Sequence, residues 1–415
     1  MFGPLSELFP IRRVQSSRKF FHCLNILYLK SVQFHNSNMY YEESSRSNLI
    51  SNENVKAVVV DLRSDTLTKP TKRMREAMFN AEVGDDVFEE DPTLKKLEEK
   101  AAEMVGMEAA IFVSSGTMGN LIAIMNHCEV RGCEAYCGDA AHCLLHEQCG
   151  ASQIAGVSLR PLRNNSDGTF DLGELKSKLR KDRHHEPISQ LVLVENTLNG
   201  KIVPQRWIEE LVTFCNEHNL KLHMDGARLW NASVGSEISA KEIVSGFDSV
   251  TFCLSKGLGA PVGSLLCGNK KFVTKARRTR KVLGGGMRQA GILGAAGLVA
   301  LQDTIPILKD DHRRAFLLAS SINKIHSTIF TVDLSTVQTN MVFVNVDSNV
   351  VSGGKFASRL REIRDDDKED KIIVKCLPLS ESFVRFVFSY EITDTQLTLA
   401  IRKISYIIKK LDPNV

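Results

Sequence analysis

The apolar run Leu220-Lys221-Leu222-His223-Met224 stops at Asp225-Gly-Ala-Arg228, and a second run, Ser249 to Leu254, stops at Ser255-Lys256-Gly. Both runs read as strands, so a carboxylate and an amine fall at strand carboxyl ends. In open α/β sheets, ligands bind beyond those ends. A pair so placed can grip pyridoxal phosphate at both ends. The acid keeps the pyridine nitrogen protonated, so the ring can accept carbanion density, while the lysine holds the aldehyde as a Schiff base. Without that strand context, the same two residues would be solvated surface charges.

Ser114-Ser115-Gly116-Thr117 follows the apolar run Ala110 to Val113 and opens a helix. N–H groups and hydroxyls there converge where the helix dipole favours an anion: a phosphate cup, or else an ordinary N-cap. Lys281 and Arg288 flank Gly284-Gly285-Gly286, a second phosphate grip or a loop with solvated charges. His142 falls at a strand-to-helix junction, where an imidazole could stack on a pyridine ring. Cys143, His146 and Cys149, with Cys128, Cys133 and Cys137, fit no common zinc-ligand spacing, so no metal site is expected.

The elements that must position these residues alternate along the chain. Strands are expected at Ala110 to Val113, Gln190 to Val194, and the two runs ending at Asp225 and Lys256, with helices from Met118 and over Trp207 to His218. That rhythm predicts an α/β fold with a mostly parallel sheet covered on both faces. After the Gly/Ala-rich helix Gly291 to Leu301, a smaller C-terminal α/β domain is expected, with strands at Met341 to Val346 and Phe383 to Phe388. The divisions predicted are 1–54 as an N-terminal extension, 55–305 as the large domain and 306–415 as the small one.

With 415 residues, 43% of them hydrophobic, the chain can bury one large core and a second, smaller one. A net charge of +4, with one basic run from Lys275 to Lys281 read as local and anion-related, leaves no broad nucleic-acid footprint. No uninterrupted apolar stretch suggests a membrane span. Ten cysteines without a Cys-x-x-Cys pair suggest reduced thiols. Arg12, Arg13, Arg18, Lys19 and Lys30 against the single acid Glu7 resemble a mitochondrial transit peptide; a plain extension and a signal segment at Phe20 to Leu29 are the alternatives. The expected address is therefore cytoplasmic or mitochondrial.

Asp61-Leu-Arg63-Ser64-Asp65-Thr66, Val83-Gly-Asp85-Asp86-Val87, His223-Met-Asp225-Gly-Ala-Arg228, Leu254-Ser-Lys256-Gly-Leu-Gly259 and Gly284-Gly-Gly-Met-Arg288-Gln289 resemble the low-specificity threonine aldolases. The match runs in order from about Val60 to the C-terminus. The resemblance implies the aspartate-aminotransferase fold (fold type I), pyridoxal phosphate as cofactor, and a homotetramer or homodimer with shared sites. It also implies cleavage of the small amino acids L-threonine and L-allo-threonine to glycine and acetaldehyde. By resemblance, Lys256 holds the cofactor, Asp225 faces its pyridine nitrogen and His142 stacks on it. Gly116, Thr117 and Ser255 hold the phosphate, joined by Lys281 and Arg288 of a neighbouring subunit. Ser64, Arg228 and Arg385 bind the substrate carboxylate, guanidinium forks suiting a planar anion.

The general base is open among His185, His142 and, if the loop slips by one, His184. Three residues depart from the family pattern: Phe88 where Tyr is frequent, Leu198 where His is usual, and Ser115 for a common Thr. Other pyridoxal phosphate reactions, such as β-elimination or transamination, would share the same grip. So would a noncatalytic protein of the same fold.

Overall fold

The strand that ends at Asp225 and the strand that precedes Lys256 lie side by side, His223 paired with Ser249 and Asp225 with Thr251 in parallel register. The computed structural model describes residues 57–181, 183–364 and 371–415, so the expectations for residues 1–54 lie outside the described residues. The strands are β1 (Val58–Asp61), β2 (Ala109–Val113), β3 (Cys133–Gly138), β4 (Ser158–Leu162), β5 (Ile188–Glu195), β6 (Lys221–Asp225), β7 (Ser249–Cys253) and β8 (Ser264–Gly268). β2 to β8 form one sheet in the order β2-β8-β7-β6-β5-β3-β4. All its pairings are parallel except those of β8, which runs antiparallel to β2 and β7. This is the α/β, mostly parallel architecture read from the sequence, and it brings Asp225, Glu195 and the chain leading to Lys256 to one edge.

Helix Gln205–Glu217 connects β5 to β6 and buries Ile208, Leu211, Phe214 and Cys215, the face its 3.6-residue periodicity marks out. Trp207 caps that contact, its indole N–H donating to the Phe170 carbonyl at 3.1 Å. β4 and β8 were not anticipated, and of β3 only the end before His142 was read from the sequence. β3 and β8 are buried at every residue, which removes the apolar/polar alternation that marks a half-exposed strand.

The C-terminal part adds β9 (Phe330–Thr331), β10 (Met341–Val346), β11 (Ile372–Lys375), β12 (Leu377–Pro378) and β13 (Phe383–Val387). Four of these form the sheet β12-β13-β10-β9, while β11 pairs in parallel with β1. Val60 and Leu62 therefore belong to the core built by Phe330, Val344, Phe356, Phe386 and Ile404. The first strand thus serves the C-terminal core and not the large domain expected to begin at residue 55. Nor is there a break at 305. Helical structure continues from Gly291 to Asn323, with Leu308 in the large core and Ala315, Leu318 and Ile322 in the small one. That run is long and apolar enough to cross a membrane by length and composition, although Gln302 and Asp303 interrupt its apolar residues. Its membership of both cores explains its apolar character.

The basic run Lys275 to Lys281 lies on helix Lys270–Val282, and three of its cations are committed to partners within the chain and not to an outside anion. Arg277 meets Glu98 at 2.5 Å, Lys275 meets Glu129 at 2.6 Å, and the buried Arg280 pairs with Asp86 and donates to the Phe112 carbonyl. These cations hold the helix to the sheet and to the Val83–Phe88 segment.

Candidate active site

Asp225 is the floor of the site. It closes β6 and is 5% exposed. Its Oδ1 accepts from the Ala227 backbone N–H at 3.0 Å and its Oδ2 from Asn120 Nδ2 at 2.7 Å. The turn that follows needs glycine, because a Cβ on Gly226 would lie 3.0 Å from the Thr251 carbonyl oxygen. Asn120 sits one turn into helix Gly116–His127 and donates a second hydrogen bond to Glu147 Oε1 at 2.9 Å.

His142 opens the short helix after β3, half-exposed, and its Nδ1 lies 2.9 Å from Glu147 Oε1. A carboxylate only accepts, so the proton is on Nδ1 and Nε2 carries the lone pair. The Glu147 bond raises the His142 pKa above its ordinary value, burial opposes the rise, and the Asp225 charge adds to it. The His142 backbone N–H donates to Glu195 Oε2 at 2.8 Å. Glu195 lies level with Asp225 across the sheet, and burial, with the Asp225 charge adding, pushes its carboxyl up to about 7. His142, Glu147 and Asp225 place ligand atoms within 4.8 Å of one another, as in a cation pocket. Asn120 donates N–H groups to both carboxylates in that space, which opposes a cation.

Lys256 follows β7 on a tight loop. Its carbonyl accepts from Gly259 N–H at 2.9 Å and from Thr68 Oγ1 at 3.0 Å. Gly259 has φ of +78° and the Tyr390 ring 2.4 Å from where a Cβ would stand, so glycine is required there. The loop lies against Asp65, since a Cβ on Gly257, next to Lys256, would stand 3.9 Å from Asp65 Oδ2. Opposite, Ser115 caps helix Gly116–His127 by accepting from Met118 N–H at 3.1 Å. The N–H groups of Gly116 and Thr117, in the first helical turn, have no intrahelical acceptor and stay available to an anion.

Ser64, Arg228 and Arg385 converge through one short segment. Arg385 Nη2 donates to the Arg63 carbonyl at 3.2 Å, Ser64 follows, and the next residue, Asp65, grips Arg228 Nε and Nη2 at 2.7 and 2.6 Å. Asp65 is fully buried, and Asn340 Nδ2 donates to it at 3.2 Å. Asp65 thus fixes the guanidinium, leaving Nη1 as the edge available to a substrate.

Other expected residues lie elsewhere in the chain. His185, and with it His184, is exposed and precedes β5, whereas the site lies beyond the carboxyl end of that strand at Glu195. Eight residues of parallel strand put about 25 Å between the two ends. Neither histidine can serve the site of its own chain. Arg288 and Lys281 are exposed, and Arg288 pairs with Asp85 at 3.0 Å. Phe88 is 70% exposed, so its missing hydroxyl is not taken from this chain's site. Leu198 is buried against Gly168. Glu147, Asn120 and Asp65 were not singled out as site residues. Asn120 had a signal: its place one turn beyond Gly116 on the same helix.

An amine loop, a carboxylate floor, a ring-bearing His142 and a helix start with unpaired N–H groups together fit pyridoxal phosphate. The site and sheet order define a fold-type-I enzyme of the pyridoxal-phosphate class. The beta-eliminating lyase family model matches residues 61–348. The chain is 44% identical over 348 residues to low-specificity L-threonine aldolase 1 of Arabidopsis thaliana, covering 82% of this chain and 94% of the relative. It is also 44% identical to the low specificity L-threonine aldolase of Escherichia coli K12, over 72% of this chain and 88% of that one. The Leishmania major threonine aldolase structure shares the fold, with a TM-score of 0.67 at 20% identity, covering 85% of this chain and 99% of that one. The chain belongs to the beta-eliminating lyase family and, within it, to the low-specificity L-threonine aldolases.

Proposed function

We propose that this protein cleaves the Cα–Cβ bond of L-threonine and L-allo-threonine, giving glycine and acetaldehyde. The observation that carries the reading is the meeting of the His142–Glu147 pair with Asp225 at the edge of the sheet that also presents Lys256. Pyridoxal phosphate, when bound, supplies the electron sink for the pair released at Cα. Lys256 is the amine for its aldehyde, Asp225 the partner of its pyridine nitrogen, and Gly116, Thr117 and Ser255 the holders of its phosphate. Ser64, Arg385 and the open edge of Arg228 hold the substrate carboxylate, which fixes the bond that stands perpendicular to the ring. His142 Nε2 then takes the β-hydroxyl proton, and Glu147 steadies the imidazolium that forms.

Partner and address belong to the same proposal. Val282 and Phe88, 77% and 70% exposed, flank the helix end that bears Lys281 and the loop that bears Arg288, and Asp86 N–H ties the two segments through the Arg288 carbonyl at 2.9 Å. Exposed apolar side chains beside exposed cations suit a second copy, whose phosphate cup Lys281 and Arg288 would complete. His185 could reach a site only in such a copy. Light scattering should report a dimer or tetramer; a monomer at micromolar concentration contradicts this. For the address, residues 1–50 fused to a reporter should enter mitochondria if they form a transit peptide, and a diffuse signal leaves the cytosolic alternative.

The competing chemistry is β-elimination, which the family's name keeps in view. Product analysis separates them. Equal amounts of glycine and acetaldehyde from L-allo-threonine support the aldol reading, whereas ammonia and a keto acid would replace it.

A further inference from the structure

The site's floor is tied to a line of buried polar groups that the reaction itself does not use. Period-two alternation puts His223 on the same face of β6 as Asp225, and His223 is fully buried. Helix Gly116–His127 crosses that face, with Asn120 near one end and His127 at the other. His223 Nε2 lies 3.2 Å from Asn120 Oδ1, His223 Nδ1 lies 2.8 Å from Ser249 Oγ, and His127 Nε2 lies 2.7 Å from the same hydroxyl.

Chemistry sets the direction of every bond. Asn120 must turn its NH2 toward Asp225 and Glu147, because its carbonyl would face two acceptors. Its Oδ1 therefore accepts, so His223 carries its proton on Nε2. His223 Nδ1 is then the acceptor, Ser249 donates to it, and Ser249 in turn accepts from His127 Nε2–H. Burial holds both imidazoles neutral, lowering each to about 3. The donors run one way, from His127 through Ser249, His223 and Asn120, and end on Asp225 Oδ2.

We infer that His223 is a positioning residue for the cofactor: through Asn120 it orients Asp225 to face the pyridine nitrogen. Successive donors polarise one another, so the final N–H offered to Asp225 is stronger than an isolated amide's. A core histidine serving packing alone would have no need of a tautomer fixed from both sides. This inference rests on the cofactor reading above.

The test compares binding of pyridoxal phosphate to the apo forms of the wild-type protein, His223→Leu and His223→Gln, after circular dichroism has confirmed their fold. It is repeated with an analogue whose pyridine nitrogen is replaced by carbon. Glutamine keeps an N–H near the Nε2 position; leucine keeps only volume. His223→Leu should weaken pyridoxal phosphate binding about tenfold and His223→Gln no more than about threefold, and both differences should vanish with the carbon analogue. Should His223→Leu not fold, Ser249→Ala carries the test, with a loss of about threefold that the analogue again abolishes. Equal affinity in wild type and His223→Leu, equal losses in Leu and Gln, or a loss that persists with the analogue would overturn the inference. Wild-type protein that bound neither compound would instead overturn the cofactor reading and take this inference with it.

Discussion

Glu147 Oε1 and His142 Nδ1, five residues apart in sequence, stand 2.9 Å apart with the glutamate 5% exposed and the imidazole half-open to the cleft. This pairing makes His142 Nε2 the basic nitrogen and raises the pKa of the ring.

A pH prediction follows from its sign. A base must be neutral, so kcat/KM should rise as pH climbs through the raised His142 pKa. Glu147→Gln removes the largest cause of that rise, so the acid limb should move to lower pH while the plateau falls about tenfold through lost orientation. An unmoved limb in a pH-rate profile would contradict the pairing's role.

Asp65 and Arg228 form the site's most buried ion pair, with side chains 0% and 14% exposed. Asp65→Asn leaves the guanidinium buried with one weak partner, and breaking such a pair costs about 3–5 kcal/mol. Thermal denaturation should show that loss, and KM for L-allo-threonine should rise more than kcat falls, because the carboxylate grip loses its anchor. An unchanged KM would remove Arg228 from substrate binding.

The neutral histidines predict acid sensitivity. Both have folded-state pKa values depressed to about 3, so their contribution is fully present above the unfolded value near 6.5 and is lost as pH falls from there toward 3. Each can add a slope of up to about 1.4 kcal/mol per pH unit in that window. Denaturant unfolding at pH 7 and pH 5 should therefore show a smaller pH dependence in His223→Gln than in the wild-type protein. Equal slopes would mean that His223 is not held neutral.

The residues legible in the sequence were those tied to strand ends. Asp225 and Lys256 follow alternating runs, whereas Ser64 and Arg385 came from the family resemblance and lie in segments that the fold brings against each other at the Arg63 carbonyl. What escaped depends on tertiary meeting. Glu147 matters because Asn120, on another helix, donates to it and to Asp225 together. β3 and β8 are buried on both faces and carry no alternation to read. His185 failed as a base within its own chain for a topological reason. A loop that precedes a parallel strand lies at the sheet edge opposite the site, and β5 is eight residues long.

The most direct measurement is acetaldehyde release from L-allo-threonine by the wild-type protein and by Lys256→Ala, both supplied with pyridoxal phosphate. The expected result is steady release by the wild type and a loss of more than about a thousandfold in the variant. Release that survives in Lys256→Ala, or its absence from a folded, cofactor-loaded wild type, would contradict the account.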